Sequence, residues 1–133
     1  MKRYHTLGIV LLWLIIICRI SLNAQQLNID SLIHITKTGV DDTNKVIAFR
    51  ALCGATSNSN PQQSIDFGWR GVGLSKKLSW DKGTAGCLLN LSIAYSNLGK
   101  YDSSVLILDT ALVYAKKVGE EKRISLIYIN MAS

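Results

Sequence analysis

The sequence predicts an all-α protein: antiparallel helix hairpins stacked as a solenoid, following an N-terminal signal helix. Two observations point there. A shift of forty residues lines up much of the second half of the chain with the first. Within each period, apolar residues recur at three- and four-residue spacing between turns marked by glycine, asparagine or proline.

Taken in order, Lys2 and Arg3 precede an apolar run from Leu7 to Cys18, and a polar stretch ends at Ala24. This is the layout of a secretory signal peptide over residues 1–24, and the run is too short for an ordinary membrane span. Two other readings stay open. One is an uncleaved anchor, which needs the run to extend through Arg19 to Leu22; the other is a lipoprotein with Cys18 as the lipid-bearing residue, against which Ile17 counts. The expected location is therefore the periplasm or the extracellular space, with membrane anchoring as the alternative.

Cleavage after Ala24 would remove Lys2, Arg3 and Arg19 and no acidic residue, lowering the net charge from +6 to +3. So mild a charge, with its lysines in helix-spaced pairs, does not argue for nucleic acid. Cys53 and Cys87 would remain in an oxidising compartment, where they can pair or serve as small buried packing residues.

Residues 25–43 predict a short helix, Ser31 to about Thr38, capped by Asp30 and stopped at Gly39, then a connector. Residues 44–83 form the first repeat: a helix from Asn44 to Thr56, a turn with Pro61 near the start of the next helix, and a second helix from Ile65 to Leu78. Residues 84–123 form the next. Leu88, Leu91, Ser92 and Tyr95 share one face of a helix from Thr84 to Asn97, and Gly99 suits the left-handed end. Asp102 or Ser103 can cap the following helix, whose stripe is Val105, Leu108, Ala111, Leu112 and Ala115 and which Gly119 ends. Residues 124–133 start a third, truncated repeat. Its segment ISLIYINMAS lacks the polar face of a terminal cap, so we expect the start of a longer array and self-association through that end.

The unit from Thr84 to Arg123 resembles the tetratricopeptide repeat family, through Leu88, Leu91, Ser92, Tyr95, Gly99, Tyr101, Ser104 and Ala111. The earlier unit matches at Leu52, Cys53, Thr56, Ser64 and Gly71, with Asn60 near the glycine position and no aromatic there. The period is forty rather than the usual thirty-four, and the proline closing the second helix is absent; both departures suit the longer helices of arrays in bacterial sensors and regulators. The resemblance covers residues 30–133. It implies a right-handed solenoid whose first helices line a concave face, and on that face it places Ile47, Arg50, Gly54, Ser57 and Asn58 from one unit and Leu89, Ile93, Ser96 and Asn97 from the next. Arg50 is the only charge in that set. Asn90 and Asn130 share one repeat position and suit backbone hydrogen bonds.

Chemistry finds little support. His34, four residues after Asp30, is the one histidine beyond the signal, and metal binding needs more ligands. The stretch DFGWRGVGLSKK has glycines at phosphate-loop spacing, but the lysine is missing where it is needed and no strand precedes it. The forty-residue shift instead puts Gly68, Gly71 and Gly73 inside a helix, with Gly71 at the repeat's small-residue position. Asp41, Asp42, Glu120 and Glu121 sit before helices, where carboxylates favour the dipole. Trp80 falls between units, where it can pack at the joint or meet a ligand. The expected function is a non-catalytic exported scaffold that binds a protein or peptide, without cofactor, metal or nucleic acid. The alternative is the sensory region of a larger signalling protein with a histidine kinase or DNA-binding output.

Overall fold

The computed structural model describes residues 10, 12–16 and 28–132, and among these there is no strand. The chain divides into two compact units, Met1–Ser31 and Leu32–Ser133. In the first, residues 12–16 are helical and exposed; the rest of the expected signal peptide lies outside the described residues, apart from Val10. Helix α1 covers residues 28–38. Asn28 and Ile29 are already helical, so Asp30 lies inside the helix rather than capping it.

Five helices follow: α2 (Thr43–Thr56), α3 (Pro61–Lys77), α4 (Asp81–Asn97), α5 (Tyr101–Lys117) and α6 (Glu121–Met131). The start of α2 is set by Asp42, whose carboxylate accepts from Lys45 N at 3.0 Å. At α3 the Asn60 side chain accepts from Gln63 N at 3.2 Å and Pro61 occupies the first turn, so the helix begins there rather than at Ile65.

The next three helices start differently. Trp80 N reaches Ser75 O at 2.8 Å, Lys100 N reaches Tyr95 O at 3.0 Å and Glu120 N reaches Ala115 O at 3.1 Å. In each case the preceding residue closes the shorter bond of the same helix-ending motif. Those preceding residues are Ser79, Gly99 and Gly119, with φ of 52°, 70° and 66°. The carbonyls of Trp80, Lys100 and Glu120 then accept the first bonds of the next helix. One motif thus ends a helix and starts its successor within three residues, so Asp102 and Ser103 lie inside α5 and neither caps it. For the same reason α4 begins at Asp81, not Thr84.

Short connections make successive helices antiparallel. Ser64 Oγ donates to Cys53 O at 2.6 Å across α2 and α3, and Ser104 Oγ donates to Ser92 O at 2.8 Å across α4 and α5. A Cβ on Gly68 would lie 2.7 Å from Leu91 Cδ1, and one on Gly71 2.8 Å from Cys87 Sγ, so both glycines admit α4 against α3. The close approach is thus shared by Gly71, at the repeat's small-residue position, and Gly68. At Gly73 nothing lies within 4 Å of an added Cβ.

Helix α4 packs against α2, α3 and α5 and also meets α6. Its Leu88 and Leu91 are buried with Leu108 and Ala111 of α5 in one core cluster. Val105, expected on the buried stripe of α5, is 45% exposed.

Candidate binding face

Helices α2 and α4 run parallel in a register fixed by two hydrogen bonds. Asn90 Nδ2 donates to Arg50 O at 2.9 Å, and Asn97 Nδ2 donates to Ser57 O at 2.8 Å; each pair is forty residues apart. Asn97 also donates to Asn58 Oδ1 at 2.9 Å. Carboxamides of α4 thus tie it to α2, with which it shares no direct connection. Asn130, at the repeat position of Asn90, donates within α6 to Leu126 O.

The expected contact residues divide into three groups. Ile47, Asn58 and Asn97 are exposed, whereas Arg50, Ile93 and Ser96 are half-buried. Ser57 and Leu89 are buried, which removes them from the contact set. Ser57 sits at the end of α2 with its hydroxyl donating to Gly54 O, and Asn97 covers its carbonyl. Leu89 belongs to the core because α4 has neighbours on several sides, a condition its own periodicity does not report.

Ile93, Ser96 and Asn97 come together in a cleft of about 490 Å³, with Tyr101 and Val105 of α5 and Met131 of α6. A second hollow of about 330 Å³ is lined by Thr36, Phe49, Asp41, Lys45, Arg70 and Lys77. There Asp41 pairs with Lys45 at 3.0 Å and Lys77 at 3.3 Å, and these bonds hold its carboxyl below the ordinary range.

Sequence reasoning missed Gly86 and Arg123. Gly86 is buried in α4, and Arg123 of α6 folds back so that its Nε donates to Glu120 Oε2 at 2.6 Å. That bond lowers the Glu120 pKa, with Lys82 of α4 adding to it from 3.6 Å. Equal size and polarity across the forty-residue shift marks repeat positions, whereas an arginine facing a glycine leaves no such mark.

Cys53 and Cys87 are both free and buried, so they pack rather than pair. Burial pushes the Cys87 thiol up to about 12, with Arg50 and Arg123 pulling the other way. A thiol so placed stays protonated at neutral pH and is a poor nucleophile. Among the described residues no group of three or more His, Cys, Asp or Glu side chains could hold a metal ion, and His34 is exposed on α1. Trp80 is half-buried against the core, its ring over Gly83, which places it in packing. Trp69 is 46% exposed and donates through Nε1 to Tyr95 Oη at 3.3 Å.

No protein-family model matches the chain, and neither a curated protein nor a solved structure does. Among the described residues the chain is all-α.

Proposed function

We propose that this chain is a non-catalytic binding module of the tetratricopeptide type, exported from the cell, in which hairpins of forty residues stack as a right-handed solenoid. It binds a protein or peptide along the face lined by α2 and α4. The observation that carries this reading is the pair of Asn hydrogen bonds, each spanning forty residues, that hold α2 and α4 parallel and in register. Such pairing supports a repeated unit because a single sequence offset accounts for both bonds. It also leaves Ile47 of α2, Asn58 in the turn after it and Asn97 of α4 exposed, with Ile93 and Ser96 in the adjoining cleft. An extended segment can meet side chains from successive units on a surface of this kind.

The test is selection from a random peptide library with the full chain, followed by affinity measurement on Ile93→Glu. Selected peptides should bind saturably and lose at least about tenfold in affinity to the variant, with its melting temperature close to that of the parent. Failure to enrich any sequence, or equal binding by the variant, would count against the proposed face.

A further inference from the structure

Gly86 lies in α4 between arginines that arrive from helices on either side of it. A Cβ built on Gly86 would fall 2.9 Å from Arg50 Nη1 and 2.6 Å from Arg123 Nη1. The guanidinium groups of α2 and α6 therefore occupy the space that a side chain at Gly86 would fill. Their Nη1 atoms are no farther apart than those two lengths laid end to end.

The two arginines differ in what neutralises them. Arg123 Nε and Nη2 donate to the Glu120 carboxylate at 2.6 and 3.2 Å, leaving Nη1 on the Gly86 side. Glu120 is shared with Lys82, so one carboxylate serves two cations there. For Arg50, no carboxylate lies within ion-pair distance among the described residues. The local balance of Arg50, Arg123 and Lys82 against Glu120 is positive. Both guanidinium groups also act on the thiol of Cys87, the residue after Gly86, so their fields converge on this part of α4.

Like charges held this close repel, and partial burial weakens the screening by water. An anion reverses that penalty. Charge-assisted N–H···O⁻ bonds are about 2.7–2.9 Å long, so one oxygen can accept from two donors lying up to about 5.6 Å apart, a limit the Arg50 and Arg123 nitrogens meet. A carboxylate or phosphate can also offer separate oxygens to the two guanidinium planes.

We propose that Arg50 and Arg123, converging over Gly86, form an oxyanion-binding site that takes a carboxylate or phosphate group carried by a peptide. The peptide part rests on the binding-module reading above; the anion site does not. Gly86 is the residue that makes the site possible, since any side chain there would displace both guanidinium groups.

The test follows the Arg50 and Arg123 Nε–H signals of the full chain by NMR during titration with sodium phosphate and, separately, sodium glutarate. Sodium chloride at matched ionic strength is the reference. Both side chains should shift saturably with an oxyanion and not with chloride. Arg50→Gln and Gly86→Ala should each weaken binding at least about tenfold, while Lys116→Gln, a remote exposed lysine, should leave it unchanged. Saturation with phosphate alone would assign a phosphorylated residue to the partner, and saturation with both would assign acidic side chains as well. Shifts that track ionic strength in chloride and phosphate alike would overturn the site, as would equal weakening by Lys116→Gln and Arg50→Gln. Library-selected peptides that bind Arg50→Gln as well as the parent would overturn the peptide as the carrier of the anion while leaving the binding module standing.

Discussion

Two glycines of α3 that look alike in the sequence have opposite consequences. Gly73 is exposed with open space where a Cβ would go, so Gly73→Ala should gain the full helix-propensity difference of about 1 kcal/mol. Gly68 is buried, and a methyl there would press on Leu91 Cδ1 and on Cys53 Sγ, the latter at 3.1 Å. Leu91 is 0% exposed and has nowhere to retreat, so overpacking of about 1–3 kcal/mol outweighs the propensity gain. Calorimetry should show Gly73→Ala melting a few degrees above the parent and Gly68→Ala below it. A rise in both would mean that the contact between α3 and α4 is looser than these distances describe. The three glycines within a helix were legible from the forty-residue shift. Which of them carried a neighbour was not, because helix periodicity gives a face but not the helix that covers it. The candidate face shows the same division: Ile47 and Asn97 are exposed, but Leu89 and Ser57 are buried by partners that the periodicity of their own helices does not report.

At the scale of elements, the connections explain which helix starts could be read. Asp42 and Asn60 cap through side chains, and such residues are visible in a sequence. Trp80, Lys100 and Glu120 begin helices without a side-chain cap, and the backbone motif that places them depends on the helix before. Helix α6 has a further tie: Glu120 joins Arg123 in its first turn and Lys82 on α4. These partners lower the folded pKa of Glu120 below its ordinary value of 4.5. A depressed carboxylate contributes stability that is present above the unfolded pKa and lost as pH falls through the folded one. Acidification below about pH 4.5 should therefore loosen the start of α6 first, modestly and less so in high salt, because the groups are near water. Cα chemical shifts of Glu121 to Ile124 should move toward coil values while those in the middle of α4 hold, and Glu120→Gln should reproduce the change at neutral pH. Simultaneous movement of both segments would assign the acid response to global unfolding instead.

Across the whole unit, the forty-residue register sets a comparison that the molecule itself supplies. Leu88 is 2% exposed in α4, and its counterpart Tyr128 in α6 is 49% exposed. Leu89 is 7% exposed and its counterpart Ile129 is 61%. With Leu126 at 42%, α6 presents three large apolar side chains to water, although Ile127 of the same helix is fully buried. The aromatic ring gains some cover from Lys116, whose Nζ stands 6.0 Å from the Tyr128 centroid. Contiguous apolar surface of this kind drives association when a complementary surface is present, and another copy offers the same patch. The chain should therefore self-associate through α6 as concentration rises, with the sedimentation coefficient increasing across the range. The double variant Leu126→Asp with Ile129→Asp should return it to monomer while keeping its far-ultraviolet circular dichroism, since both sites face solvent and neither fills the core. A parent chain that stays monomeric at the highest concentration would show that α6 tolerates its exposure. Association that survives the double variant would move the interface to the exposed apolar face of α5, where Leu106 and Val113 are 68% and 65% exposed.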